Sequence, residues 1–211
     1  MQDGQLLFDP RVPMTRIDWS IDDTLVRLIN EKTIEPVIVV AIFHSDSREA
    51  EYSVSGTGPE YSRFVVEEVK PMIDARYRTK PDKEHTAIMG ASRGGLIAFY
   101  TALQYPQVFG KAACFSPFYT DDAPWLQHLE LGEGTRPTGQ QFYFDYGLRE
   151  PAVTGFPQSQ QRINAMLSSW GWKQGQDFIV YEDPTGLHEE TSWRTRFAQP
   201  VKAFFGVEKG G

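Results

Sequence analysis

A single cysteine, Cys114, stands among 211 residues, so no intrachain disulfide can form and a disulfide-stapled scaffold is excluded. Its setting, Ala112-Ala113-Cys114-Phe115, reads as a buried strand, which makes the thiol structural rather than reactive. No apolar run reaches 18 residues, so no membrane span is expected. No long basic run occurs and the net charge is −7, which leaves no electrostatic footprint for a nucleic acid or an anionic membrane surface. Zinc-like Cys/His spacing, a Gly-x-x-x-x-Gly-Lys phosphate loop and a Gly-x-Gly-x-x-Gly fingerprint are all missing. Neither a metal nor an organic cofactor is therefore expected. The opening Met1-Gln2-Asp3-Gly4 lacks a basic region followed by an apolar run, so a signal peptide is not expected and the cytoplasm is the expected location.

What is present is ordinary for a globular chain: 40% hydrophobic and 23% charged residues, enough to bury one core. A single domain over residues 1–211 is expected. Val37 to Phe43 is continuously apolar and β-branched, as in a strand buried on both faces of a parallel sheet. Residues 60–77 carry a helical rhythm, with Pro71 predicting a kink or break. Short strands follow at 86–89, 111–115, 142–146 and 178–181. Helices are expected at 96–105, at 158–170 and at 189–205, where Pro200 is a candidate interruption. Residues 119–140 read as a surface excursion bordering a pocket, and the end from Lys209 as frayed. Strands alternating with helices define an α/β class with a mostly parallel sheet and helices on both faces.

The chemistry concentrates at Gly90-Ala91-Ser92-Arg93-Gly94, a Gly-x-Ser-x-Gly pattern between the apolar strand Ile88-Met89 and the helix opening at Leu96. The pattern has a steric reason. A serine on a sharp strand-to-helix turn needs neighbours without Cβ atoms, and the turn then holds its hydroxyl at the head of the helix. Ser92 is the candidate nucleophile; the competing reading is a tight turn with Ser92 capping a helix. The N–H of Arg93, at the helix start, is the first candidate donor to an oxyanion.

Such a serine needs a base. In this architecture the order along the chain is serine, acid, histidine. Of His44, His85, His128 and His188, only the last two follow Ser92. His188 lies just past the strand 178–181 and ahead of a helix, where a base is wanted. His128 falls in the excursion, His85 precedes a strand at the wrong end, and His44 is a pocket-lining candidate. For the acid that would orient the histidine, Glu150 lies past the end of strand 142–146 and Asp145 within it. Glu182 and Asp183 lie close to His188. Chemistry alone ranks Glu150 first and Asp145 second. Phe118, Tyr119 and Trp125 are candidates for an apolar pocket wall, with core packing as the equal alternative.

These stretches resemble the family of α/β-hydrolases that includes enterochelin-esterase-like, feruloyl-esterase-like and esterase D-like proteins. The resemblance is carried by Asp3 to Asp9, by Arg48, Glu51 and Tyr52, and by Gly90 to Gly95. It continues through Tyr105-Pro106, Phe109-Gly110 and Phe115-Ser116-Pro117, and ends at Gly186-Leu187-His188 before Trp193. It implies Ser92 as nucleophile, His188 as base, and Glu150, in a Gly-x-x-Glu segment, as acid. It further implies a second oxyanion donor at the N–H of Gln5 or Leu6. Arg93 stands where relatives often carry methionine. Relatives have strands ahead of the Asp-Gly segment that this sheet is expected to lack. The exposed edge is then expected to be covered in a homodimer or higher oligomer. The implied activity is hydrolysis of a small or medium carboxylic ester. The alternatives are a non-catalytic hydrolase fold used for binding or structure, or an acyltransferase or peptidase.

Overall fold

A computed structural model describes residues 1–11, 17–119, 123–130, 138–151 and 155–207. Part of the expected excursion and the expected fraying from Lys209 lie outside the described residues. Four strands form one sheet in the order β1-β2-β3-β4: β1 Ala87–Ala91, β2 Lys111–Phe115, β3 Gln141–Gly147 and β4 Phe178–Asp183. All three pairings are parallel. The helices are α1 Ile21–Asn30, α2 Arg48–Glu51, α3 Gly58–Phe64, α4 Lys70–Arg76, α5 Arg93–Gln104, α6 Ala123–Glu130, α7 Phe156–Ser169, α8 Glu190–Arg196 and α9 Ala198–Phe205.

The two-residue period of the strands divides the core. Ile88, Ala112, Cys114, Phe142 and Phe144 face a layer containing α3, α5 and α7. Met89, Ala91, Ala113, Phe115 and Tyr143 face α1, α8 and α9. Strands buried on both faces between crossover helices require apolar residues at nearly every position, which β1 to β3 supply. Cys114 is fully buried and burial pushes its thiol well up, in line with a structural role.

Two prolines set breaks in the helices. Between α3 and α4 the chain makes a π-helical turn, Val65–Val69, and Pro71 falls in the first turn of α4, directly after this change in the helical hydrogen-bond pattern. Phe197 separates α8 from α9, and Pro200 falls in the first turn of α9. Helix α1 is not among the expected elements, although Ile21, Leu25 and Leu28 recur on one face and are its buried residues.

The run Val37 to Phe43 corrects an expectation. It is extended but belongs to no ladder of the sheet, and Ile38 and Phe43 are 51% and 62% exposed. The reason is pairing. Its hydrogen-bonded contact with the body is Met1 to Gly4, which lies between this run and β1. The N–H of Gln2 donates to Met89 O at 2.9 Å, that of Ile42 to Met1 O at 2.9 Å, and that of Gly4 to Ile42 O at 2.8 Å.

Candidate active site

β1 ends in the elbow. Ser92 sits at φ 55°, ψ −126°, a conformation that side chains resist, immediately before α5. The neighbouring glycine makes this possible, because a Cβ on Gly90 would lie 2.4 Å from the Gly94 carbonyl oxygen. The turn is fastened to the next strand by the Ser92 N–H donating to Phe115 O at 2.9 Å, and by Phe118 N–H donating to Ser92 O at 3.1 Å.

Three side chains from three loops converge there. His188 Nε2 lies 2.9 Å from Ser92 Oγ, and His188 Nδ1 lies 2.7 Å from Glu150 Oε2. The contact to the carboxylate fixes the proton on Nδ1 and leaves Nε2 as an acceptor facing the hydroxyl. The imidazole is held by packing as well. Phe156 stacks on it at 5.5 Å and Trp193 meets it edge-on at 5.0 Å.

Glu150 is itself pinned. Its Oε1 accepts the Gly147 N–H at 2.5 Å and the Ser116 hydroxyl at 2.6 Å. Ser116 Oγ in turn accepts from Trp193 Nε1 at 3.0 Å and from the Arg196 guanidinium at 2.9 Å. With two donors pointed at it, the Ser116 hydroxyl has one direction left for its own proton, toward Glu150. Losing a hydrogen bond to a charged group costs about 1.5–3 kcal/mol. Ser116→Ala is therefore expected to slow any reaction that depends on the Ser92 hydroxyl by roughly 10- to 100-fold, read as a rate against the parent at equal protein concentration.

Asp145 is fully buried but points elsewhere. Its carboxylate accepts the Ser116 N–H at 3.1 Å and the Tyr143 hydroxyl at 3.1 Å, and lies 3.1 Å from Arg196 Nε. The structure thus brings Glu150, and not Asp145, to His188. Asp183 binds Thr185 and lies 3.4 Å from Arg196, and Glu182 takes the Tyr146 hydroxyl. Burial pushes the Asp145 carboxyl up to about 7, against the pull of Arg196 and its hydrogen bonds. Between its ordinary 3.8 and about 7, folding then takes up a proton, so this group's contribution to stability falls as pH rises through that window. Asp145→Asn is expected to flatten that fall, which melting temperatures at pH 5 and pH 8 would measure.

On the side of the Asp-Gly segment, Asp3 to Leu6 form a tight turn, Gly4–Leu6, placed against the start of α5. A Cβ on Gly94 would meet Gln2 and Asp3 atoms within 3.2 Å. A Cβ on Gly4 would clash at 2.7 Å with the Ala41 backbone, so only glycine permits this approach. The Asp3 carboxylate is clamped by Arg48 at 2.6 and 2.7 Å, and the Asp3 N–H donates to the Tyr52 hydroxyl at 3.1 Å. The Leu6 N–H is spent on Asp3 O at 2.9 Å, whereas that of Gln5 is not engaged among the described residues. Arg93 opens α5 with its guanidinium 5.4 Å from the Phe118 ring.

The remaining candidates separate. His44 lies beside the Asp3 loop, its Nε2 4.0 Å from the Asp3 carboxylate. Phe118 is half-buried near Arg93. Tyr119 is buried in the core against Phe99, and Trp125 packs edge-on to Phe99 and Tyr100. Ser116, Trp193 and Arg196 enter the network without being sequence candidates for it. The continuous burial of β2 runs on into Ser116 at its end, but no local signal marks Arg196 as buried.

The fold and this geometry meet the comparisons with known proteins. The family described as "Putative esterase" matches residues 1–204, and the chain belongs to that family. Among curated proteins, YjcH of Bacillus subtilis (strain 168), itself uncharacterized, is 28% identical over 190 residues, covering 83% of this chain and 73% of YjcH. The Iron(III) enterobactin esterase of Escherichia coli (strain K12) is 23% identical, covering 83% of this chain and 42% of that protein. Among solved structures, the enterobactin esterase of Shigella flexneri superposes with a TM-score of 0.78 at 20% identity, covering 96% of this chain and 51% of that one. The chain thus spans about half the length of the enterobactin esterases it matches, and the structural likeness establishes the α/β-hydrolase fold. No helix among the described residues is long and apolar enough to cross a membrane.

Proposed function

We propose that the protein is a serine esterase acting on small or medium carboxylic esters, with Ser92 as nucleophile, His188 as base and Glu150 as the acid that orients the base. The observation that carries this reading is the continuous chain of contacts from Ser92 Oγ through His188 to Glu150, at 2.9 and 2.7 Å. In the reaction His188 takes the hydroxyl proton as Ser92 Oγ bonds to the ester carbonyl carbon, forming a tetrahedral oxyanion. The N–H groups of Arg93 and Gln5 are the donors proposed for it, with Leu6 contributing turn geometry rather than a donor. Collapse breaks the ester C–O bond and His188 returns the proton to the departing alcohol. Water, deprotonated by His188, then releases the acid. The imidazolium formed midway faces the Glu150 carboxylate, which the Ser116 hydroxyl and the Gly147 N–H hold in position.

The enterobactin esterases among the relatives are named for ester cleavage, which favours this substrate class over peptides. A second reading, a non-catalytic fold used for binding, is favoured by a cavity of about 470 Å³ beside β1 whose lining includes neither Ser92 nor His188. Hydrolysis of p-nitrophenyl acetate and butyrate separates the two. The esterase reading expects turnover that disappears in Ser92→Ala; folded protein inert toward both esters supports the binding reading.

A further inference from the structure

The residue that follows Ser92 carries a positive charge. Arg93 is the first residue of α5, and both it and Ser92 are half-buried. The backbone N–H of Arg93 has a proposed part in the chemistry, but that part asks nothing of its side chain. A cation beside a nucleophile is costly to shield from water unless something compensates its charge, so its place in the site needs a separate account.

The guanidinium is held at a defined point. Its Cζ lies 5.4 Å from the centre of the Phe118 ring. Phe118 is fastened to the elbow, because its N–H donates to Ser92 O at 3.1 Å. The Ser92 N–H donates in turn to Phe115 O at 2.9 Å, so the elbow and the end of β2 form one unit. The charge is therefore tied to Ser92 twice, through the chain and through the Phe118 ring. With neighbouring Cα atoms about 3.8 Å apart, the guanidinium stays within roughly 10 Å of Ser92.

Two other arginines around the site serve the protein's own acids. Arg48 clamps Asp3, and Arg196 lies against Asp145, Asp183 and Glu150. Arg93 is held over an aromatic face. That attraction acts between the charge and the ring and consumes no N–H donor. A guanidinium has five donors in one rigid plane, so Arg93 can keep its contacts within the protein and still present a parallel pair of N–H groups to a carboxylate. The acid of the triad does not oppose an incoming anion. The Glu150 side chain is 1% exposed, and its charge faces His188 and the Ser116 hydroxyl.

We propose that Arg93 is a specificity-determining residue that selects esters carrying a carboxylate elsewhere in the molecule. The proposal rests on the esterase reading and narrows its substrate class. The carboxylate accepts from the guanidinium while the ester carbonyl lies against Ser92, and the Phe118 ring offers apolar surface to the carbons between them. A paired, charge-assisted contact at a half-buried position contributes more than an exposed ion pair. The contact is remote from the bond that breaks and is made alike in ground state and transition state, so it acts on KM more than on kcat.

The test uses two matched pairs of esters. Mono-p-nitrophenyl adipate and p-nitrophenyl hexanoate differ in a carboxylate at the end of the acyl chain. 4-Carboxyphenyl butyrate and its methyl ester differ in the same charge on the alcohol side. Within each pair the ratio of kcat/KM, anionic over neutral, is compared between the parent and Arg93→Met. Any effect of the substitution on the elbow itself cancels in that ratio. The ratio is expected to fall roughly 10-fold in one pair, through KM, and that pair identifies the side of the ester that bears the carboxylate. Arg93→Lys should keep part of the preference, and added salt should weaken it in the parent. Ratios unchanged in both pairs would overturn the proposal. A binding measurement separates this failure from failure of the esterase reading. In the Ser92→Ala protein, adding Arg93→Met should weaken calorimetric binding of the selected anionic ester by a similar factor. Absent turnover with that loss of binding would sink the esterase reading and retain Arg93 as the carboxylate site, whereas equal binding of both anionic esters with and without Arg93 would sink the proposal.

Discussion

Ser92→Ala is expected to reduce kcat/KM for a p-nitrophenyl ester by roughly 10⁴-fold or more while leaving the melting temperature close to that of the parent. The size follows from the role. Removing a nucleophile or its base from a Ser-His-acid unit leaves only the contribution of binding and of the oxyanion donors. His188→Ala should fall by a similar factor, and the double variant no further, because the two residues act as one unit. Glu150→Gln is expected to fall less. It keeps an acceptor for the Ser116 hydroxyl and for the Gly147 N–H, but weakens the partner of the imidazolium. Stability should hold in Ser92→Ala because the elbow is maintained by backbone bonds to Phe115 and Phe118, which the substitution does not touch. A fall in rate with an unchanged melting curve assigns the loss to chemistry.

The second large effect concerns Arg196, which is 1% exposed. Its guanidinium lies 3.1 Å from Asp145, 3.4 Å from Asp183 and 3.8 Å from Glu150, and donates to Ser116. A planar fork with five donors can serve these groups at once, which a lysine ammonium cannot. Arg196→Met keeps much of the volume but leaves buried carboxylates without their cation. Breaking a buried ionic cluster this way costs about 3–5 kcal/mol, which in a chain of this size lowers the melting temperature by roughly 10 °C. Asp145→Asn in the same protein should return part of the loss, since an amide at this fully buried position needs neither a cation nor a proton taken up on folding. Activity should fall in Arg196→Met beyond what stability explains, through the Ser116 hydroxyl that Arg196 aims at Glu150. A double variant as unstable as the single one would place the stabilising role of Arg196 outside its pairing with Asp145.

How much of this was legible in the sequence depended on whether the cause was local. The elbow was legible because a serine at φ 55° dictates its own neighbours, and Gly90 and Gly94 are those neighbours. The strands β1 to β3 were legible because burial between two helix layers makes a strand apolar at nearly every position, and β4 by its apolar start Phe178-Ile179-Val180 alone, since Ile179 and Glu182 are exposed. Pro71 announced a break but not its form, a π-helical turn, since that choice depends on what the helix packs against. Glu150 could be ranked above Asp145 because a loop beyond a strand's carboxyl end can reach a histidine in the next such loop.

Arg196 was not legible. Its burial is compensated by acids at 145, 150 and 183, whose separations in the chain carry no trace of their meeting. The run Val37 to Phe43 failed for a related reason. Its composition is that of a buried strand, but burial belongs to a strand together with its neighbours, and along most of this run one neighbour's place is the cavity. The Leu6 amide likewise was a candidate donor by the family resemblance, while the turn that positions the loop consumes it.

The account's central claim, that Ser92 is made nucleophilic by His188, is tested most directly by treating the folded protein with a fluorophosphonate probe and locating the adduct by peptide mass spectrometry. One adduct per chain, on the peptide containing Ser92, and none in His188→Ala under the same conditions, is the result predicted. No adduct in folded protein, an adduct on another residue, or equal labelling without His188 would contradict it.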